Sequence, residues 1–114
     1  MITIIHNPDC SKSNCSLEYL QNLNEEILIR DYLAMPLSKK ELSEIVHMLG
    51  MEAHELLRKK EPLYKSLIEN RSFTNDEILQ LMADNPILIE RPVIIKNGKA
   101  VIGRPIEKVV DFVK

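Results

Sequence analysis

The chain has 114 residues, of which 45% are hydrophobic, a formal net charge of −2 and a sequence pI of about 5.9. This length and apolar content suffice for one domain around one core, and the slightly acidic charge gives no general attraction for nucleic acid, so we expect no nucleic-acid partner. No apolar run reaches the roughly 20 residues of a membrane span, and the N-terminus lacks the pattern of a secretory signal, so we expect a cytoplasmic protein with no membrane partner.

The N-terminal third of the chain predicts a strand, a helix and a second strand. Residues 1–6 are apolar and β-branched and are followed by Asn7 and Pro8, which predicts a buried strand that ends in a turn. Apolar residues then recur at helical spacing over residues 11–23. The run at 26–33 predicts a second strand, parallel to the first because a right-handed crossover through a helix joins them.

The middle of the chain, residues 38–85, has a helical pattern throughout. Ser38 with Glu41 and Thr74 with Glu77 have the spacing of capping boxes, in which two side chains satisfy the first N–H groups of a helix. We therefore predict a helical layer inserted between the two halves of a sheet.

The C-terminal part returns to strands. Asn97 and Gly98 separate the alternating apolar runs 92–96 and 99–103, and this is a strong hairpin signal because both residues tolerate a positive φ. The segment 105–113 then predicts a short final helix.

The order βαβ, helices, ββα predicts the α/β class: a thioredoxin-like, four-stranded mixed sheet with a helical insertion at about 38–85. We expect a single domain over 1–114. In thioredoxin-like folds the proline that opens the strand opposite the cysteine is often cis. Pro92 holds that place, so we predict a cis bond between Arg91 and Pro92.

Both cysteines of the chain lie in the stretch HNPDCSKSNC at 6–15. The third residue after Cys10 is Ser13, so no C-x-x-C redox centre is present, and the sixth is Ser16 rather than the arginine of a phosphatase-type loop. Cys15 lies too far along a helix to form a disulfide with Cys10 unless the first turn unwinds. We interpret Cys15 as a small helix residue, with a resolving thiol as the alternative.

Cys10 is the candidate nucleophile, because it lies where a strand leads into a helix N-terminus. The free N–H groups and the helix dipole there favour a thiolate and also bind anions. Lys12, Ser13 and His6 are near enough in sequence to add charge or hydrogen bonds. A buried, inert cysteine is the alternative, but loops at the carboxyl ends of strands usually carry the sites of α/β proteins, so we expect an accessible thiol. We expect no metal site, because the three histidines are dispersed.

Two of the five arginines lie at the ends of the predicted hairpin, each before a proline. Arg91 opens the first hairpin strand and Arg104 follows the second, so both should emerge at the same end of the sheet. Two neighbouring guanidinium groups suit a tetrahedral oxyanion. The alternative is a pair of surface arginines that form ion pairs with Glu90 and Glu107.

Three segments together carry a resemblance to a known family: HNPDCSKS at 6–13, LLRKKEPLY at 56–64 and NPILIERPVIIKNGKAVIGRPIEKVV at 85–110. Over nearly the whole chain the sequence resembles the glutaredoxin-coupled arsenate reductases of the ArsC family. The resemblance implies a thioredoxin-like fold and the reduction of arsenate to arsenite. It also implies glutathione as co-substrate, glutaredoxin as partner protein and no bound cofactor.

The resemblance also implies roles for individual residues. The cysteine that matches Cys10 attacks arsenate to give a thiol–arsenate adduct, glutathione then forms a mixed disulfide, and glutaredoxin resolves it. His6 matches a histidine that assists thiolate formation, and Ser13 matches a residue close to the sulfur. The oxyanion-binding arginines of the family correspond to Arg58, Arg91 and Arg104. The role of Arg58 comes from the resemblance alone.

The sequence departs from the family pattern at two positions. Asn14 stands where many members have an arginine, which bears on the affinity for arsenate more than on the chemistry, and Cys15 stands where few members have a cysteine. Two other functions stay open. A general glutathione-dependent thiol oxidoreductase of the ArsC-like group needs Cys10 but not all three arginines. An Spx-like regulator that binds RNA polymerase usually has a C-x-x-C switch, which Ser13 interrupts.

Overall fold

The computed structural model describes all residues from 1 to 114. Its strands and helices are β1 (Ile2–His6), α1 (Ser11–Gln21), β2 (Ile27–Asp31), α2 (Lys39–Leu49), α3 (Pro62–Leu67), α4 (Asn75–Asp84), β3 (Val93–Lys96), β4 (Lys99–Ile102) and α5 (Ile106–Val113), with short 3₁₀ helices at Ala53–Leu56 and Pro86–Leu88. None of the helices has the length and apolar character needed to cross a membrane.

The residues group into two compact units, one formed by residues 1–35 with 91–114 and the other by residues 36–90. The second unit contains the predicted helical insertion, 38–85. A single domain over 1–114 stays a prediction.

The first unit contains a four-stranded sheet with the order β2-β1-β3-β4. Strands β1 and β2 are parallel, with His6 opposite Asp31, whereas β3 is antiparallel to both β1 and β4. This confirms the predicted mixed α/β sheet. The pairing brings the carboxyl ends of β1 and β2 to the same sheet edge as the start of β3 and the end of β4.

The β3–β4 hairpin closes through the predicted turn. Asn97 has a φ of 55° and Gly98 a φ of 75°. Two consecutive positive φ values match the right-handed twist of paired strands, and these two residue types adopt them at little cost.

Helices α1 and α5 contribute to the apolar core of the first unit, which lies against one face of the sheet. The fully buried members of this core are Ile2, Ile4, Leu20, Ile94 and Val109. Alternate residues of a strand point to the same face, so Ile2 and Ile4 anchor β1 to the core while β1 leads into the loop before α1. The core therefore fixes the N-terminus of α1 at the carboxyl end of β1.

The capping boxes that begin α2 and α4 are present as predicted. The prediction of helix is nevertheless wrong at Leu57, which forms an antiparallel bridge with Ile89. The N–H of Arg58 donates to the Leu88 carbonyl at 2.8 Å, and the N–H of Glu90 donates to the Leu56 carbonyl at 2.8 Å. These hydrogen bonds hold the backbone extended, because they use N–H and carbonyl groups that a helix would pair within itself.

Strand β2 is shorter than the predicted 26–33. The side chain of Asp31 accepts hydrogen bonds from the N–H groups of Leu33 and Ala34, at 3.1 and 3.2 Å. An aspartate that bonds its own following backbone ends a strand in a turn.

Candidate active site

Cys10 is the N-cap residue of α1. Its backbone is extended, with φ −108° and ψ 121°, and its carbonyl accepts the first helical hydrogen bond from the N–H of Asn14 at 2.9 Å. The preceding loop is held by two bonds, from the Cys10 N–H to the Asn7 carbonyl at 3.1 Å and from the Asp9 N–H to Asn7 Oδ1 at 2.9 Å. The loop therefore sets the thiol at the positive end of the helix.

The Cys10 residue is only 8% exposed, so the expectation of an accessible thiol is wrong. The thiol receives hydrogen bonds from the N–H groups of Lys12 and Ser13 and from the guanidinium group of Arg91. These donors make the surroundings of the sulfur polar, unlike those of an inert cysteine in an apolar core.

Opposing effects act on the pKa of the Cys10 thiol. The largest single effect is burial, which raises the pKa, but four interactions lower it: the N–H of Ser13, the charge of Arg91, the N–H of Lys12 and a hydrogen bond from the Arg91 side chain. Together these interactions prevail and hold the pKa below its ordinary value. Lys12 acts here through its backbone rather than its ammonium group.

His6 contacts Ser13 rather than the sulfur of Cys10. His6 Nδ1 is 2.6 Å from Ser13 Oγ, and that hydroxyl also accepts a hydrogen bond from the Asn7 N–H at 3.0 Å. Burial lowers the pKa of His6, and the nearby carboxylate of Asp31 only partly opposes this, so the imidazole is mostly neutral at pH 7. His6 is thus linked to Cys10 only indirectly, through Ser13. The N–H of Ser13 donates a hydrogen bond to the Cys10 thiol.

Asp31 is a site residue that sequence reasoning misses. It ends β2 directly opposite His6 in the parallel register and acts electrostatically on that imidazole. The sequence contains a signal for this placement of Asp31, because two parallel strands joined by one helix bring their carboxyl ends together.

Arg91 lies just before β3, whose residue Val93 pairs with Ile5 of β1. This pairing sets the start of β3 beside the end of β1 and brings the Arg91 guanidinium to the sulfur of Cys10. The peptide bond from Arg91 to Pro92 is cis, the isomer expected from the sequence.

Arg104 follows β4 at the same edge of the sheet. Val93 pairs with Ile102, and the N–H of Gly103 donates to the Pro92 carbonyl at 2.9 Å. The backbone preceding Arg104 is therefore bonded to the proline that follows Arg91. The peptide bond from Arg104 to Pro105 is also cis, an isomer that was not expected from the sequence.

Arg58 belongs to the second unit, where its guanidinium group has two contacts. Nη1 donates to the Ile87 carbonyl at 3.4 Å, and Nη2 lies 3.5 Å from a carboxylate oxygen of Glu61. The role of Arg58 in binding an oxyanion stays a prediction.

Asn14 and Cys15 are neighbouring residues of α1. Asn14 Nδ2 donates to the Pro8 carbonyl at 2.9 Å, so this neutral side chain ties α1 to the loop before Cys10. Cys15 is an exposed residue of α1, and both cysteines are free thiols.

The arrangement supplies a nucleophile together with groups that hold an anion. The helix N–H groups and the Arg91 guanidinium stabilise negative charge on the sulfur, and groups of the same kind stabilise the oxygens of an attacked oxyanion. No group of three or more His, Cys, Asp or Glu side chains is arranged to hold a metal ion.

Comparison with known proteins gives consistent matches over nearly the whole chain. The family model described as ArsC family matches residues 5–112. The chain is 43% identical over 114 residues to the uncharacterized protein YfgD of Escherichia coli K12, a match that covers 98% of this chain and 96% of the relative. It is 41% identical over 110 residues to an arsenate reductase of Neisseria meningitidis serogroup B, covering 95% of this chain and 94% of the relative.

Solved structures match equally well. A structure from Yersinia pestis has a TM-score of 0.92 and 45% identity, covering 97% of this chain and 99% of the other. The structure of an arsenate reductase from Vibrio cholerae has a TM-score of 0.92 and 38% identity, covering 96% of this chain and 95% of the other.

Proposed function

The chain belongs to the ArsC family, and we propose that it is an arsenate reductase that works through a Cys10 thiol–arsenate adduct. The observation that carries the proposal is the Cys10 sulfur itself, which receives hydrogen bonds from the α1 N-terminus and from Arg91. Relatives named arsenate reductase match nearly the full length of the chain and support the choice of substrate.

The proposed reaction begins with attack of the Cys10 thiolate on arsenic. A sulfur–arsenic bond forms and one arsenate hydroxyl takes up a proton from the solvent and leaves as water, while arsenic stays in the +5 state. The sulfur of glutathione then attacks the Cys10 sulfur, and the electron pair of the sulfur–arsenic bond stays on arsenic. Arsenite is released, and the mixed disulfide between Cys10 and glutathione is reduced by glutaredoxin.

The anion-binding groups have separate tasks in this scheme. The helix N–H groups hold the sulfur as a thiolate before attack. Arg91, with Arg104 at the same sheet edge, neutralises the arsenate oxygens and the charge that builds up as the sulfur attacks. We assign Arg58 to the same task on the family resemblance alone. The reaction consumes reduced glutathione, so we place the protein in the cytoplasm.

The test is arsenite production from arsenate by the purified protein with glutathione and glutaredoxin. We expect turnover by the wild-type protein and by Cys15→Ser, and none by Cys10→Ser. The Cys15→Ser variant is the matched control because it removes the other free thiol of the chain.

Each failure has a separate meaning. Turnover that survives in Cys10→Ser would overturn the assigned nucleophile. Turnover that runs only when thioredoxin replaces glutathione and glutaredoxin would overturn the reductant but not the reaction. No turnover with either reductant would reject arsenate as the substrate and favour a general thiol oxidoreductase, provided that Cys10 still reacts as an acidic thiol.

A further inference from the structure

Gly103 is a glycine whose backbone conformation does not require glycine. Its φ lies outside the left-handed region, unlike those of Gly50 and Gly98. The left-handed strain that favours glycine is therefore absent at this position. The reason for a glycine at this position has to lie in the surroundings of the residue.

Those surroundings leave no room for a side chain. A methyl group on Gly103 would lie 2.7 Å from Cγ2 of Val109, 3.1 Å from Cγ of Pro92 and 3.3 Å from Oγ of Ser16. Carbon atoms in good contact are about 3.5 to 4.0 Å apart. Three parts of the first unit, namely α5, the residue before β3, and α1, thus converge on the missing side chain of Gly103.

The neighbours differ in how readily they can move. Val109 is fully buried in the core, and a β-branched side chain has one strongly preferred rotamer in a helix. The ring of Pro92 is joined to the backbone directly after Arg91, and the Pro92 carbonyl accepts the Gly103 N–H at 2.9 Å. A methyl group on Gly103 would therefore push on Pro92 and carry Arg91 with it.

We propose that Gly103 is a positioning residue of the active site. Its missing side chain lets Pro92 pack closely against β4 and α5, and this packing sets the Arg91 guanidinium against the sulfur of Cys10. Gly103 acts only through Pro92 and Arg91. A role of Gly103 in arsenate reduction rests on the proposed function, whereas its effect on the pKa of the Cys10 thiol does not.

The test is a double-mutant cycle between Gly103→Ala and Arg91→Ala, read out as the pKa of Cys10. The alkylation rate is measured against pH in the Cys15→Ser protein, where Cys10 is the only thiol. We expect Gly103→Ala to raise the Cys10 pKa and to slow alkylation by about threefold or more at a pH below that pKa. In the Arg91→Ala protein, Gly103→Ala should have no further effect, because the group that it positions is gone.

A matched control separates positioning from loss of stability. Gly50→Ala puts a side chain on a glycine with a φ of +68° and no atom within 4 Å, so it strains the backbone without touching a neighbour. We expect Gly50→Ala to lower the melting temperature and to leave the Cys10 pKa unchanged.

If Gly103→Ala does not fold, the same cycle is run in a Val109→Ala protein. That change removes the 2.7 Å contact and leaves the 3.1 Å contact with Pro92. We expect Gly103→Ala to raise the Cys10 pKa there as well, and again only when Arg91 is present.

Three results would overturn the proposal: an unchanged Cys10 pKa in a folded Gly103→Ala protein, an equal pKa change with and without Arg91, or an equal change in the Gly50→Ala control. Failure of the proposed function would be recognised by a different result. If the wild-type protein does not reduce arsenate, the alkylation cycle still decides whether Gly103 positions Arg91.

Discussion

Arg91 acts on the Cys10 sulfur in two ways, through its positive charge and through a hydrogen bond. Arg91→Ala removes both, so we expect the pKa of Cys10 to rise. Arg91→Lys keeps the charge but not the planar donor group, so its rise should be smaller. The loss of one such contact should lower kcat/KM for arsenate by an amount equivalent to about 2 to 4 kcal/mol.

The measurement for Arg91 is the rate of Cys10 alkylation against pH, together with steady-state kinetics on arsenate. The Cys15→Ser protein serves as the common background, so that one thiol is followed. An Arg91→Ala protein with the wild-type thiol pKa would contradict the described contact. One with unchanged turnover would contradict the proposed role in catalysis.

Ser13 contributes two different groups to the site. Ser13→Ala removes the hydroxyl beside His6 and Asn7 but keeps the backbone N–H that bonds to Cys10. We expect a loss of about 1 to 3 kcal/mol in the free energy of unfolding, because buried polar groups lose a partner. The Cys10 pKa should change much less than in Arg91→Ala. Urea unfolding and the alkylation profile test the two parts, and a pKa change as large as that of Arg91→Ala would contradict this division.

For single residues, the sequence predicts which ones matter better than it predicts their contacts. The place of Cys10 follows from local signals, namely a strand, an Asn-Pro turn and a helix start. Its contact with Arg91 does not, because that guanidinium comes from a distant part of the chain. The steric role of Gly103 is equally hidden, since three separate elements have to converge before a methyl group there would contact its neighbours too closely.

Among the elements, α4 depends on its cap. Thr74 Oγ1 accepts the Glu77 N–H at 3.2 Å, and Glu77 Oε1 accepts the Thr74 N–H at 2.9 Å. Thr74→Ala should therefore lower the free energy of unfolding by about 1 kcal/mol, whereas Thr74→Ser keeps the hydroxyl and should cost much less. Urea unfolding of the two variants checks this, and equal losses would contradict it.

The elements that the sequence predicts well are those with local rules. The capping boxes, the turn at Asn97 and Gly98 and the pairing of β1 with β2 all depend on residues close together in sequence or on one short crossover. The bridge between Leu57 and Ile89 depends on distant segments. No helical period in the sequence reports such a contact, and this is why helix was predicted there.

For the whole molecule, the lowered pKa values of His6 and Cys10 both make stability rise with pH. Between its folded pKa and its ordinary value of 6.5, His6 binds more protons in the unfolded chain. The same holds for Cys10 between its folded pKa and 9.0. The contribution of each group to the free energy of unfolding is therefore full only above its ordinary pKa. It is lost as the pH falls through the folded pKa.

We expect the free energy of unfolding to increase with pH below 6.5, where His6 loses its proton, and again below 9.0, where Cys10 does. His6→Asn should flatten the lower part of this rise, and Cys10→Ser should flatten the part nearest the thiol pKa. Urea unfolding across the pH range provides the measurement. Variants that keep the wild-type slope would show that these two groups are not its source.

The burial of Cys10 beside an exposed Cys15 separates chemical reactivity from physical access. A small alkylating reagent selects by thiolate content, so it should modify Cys10 first at neutral pH. A reagent attached to a bulky polymer selects by access and should modify Cys15 first. The order of labelling would thus invert with reagent size, and small oxyanions would reach a nucleophile that the thiols of large molecules reach only if the surroundings of Cys10 open.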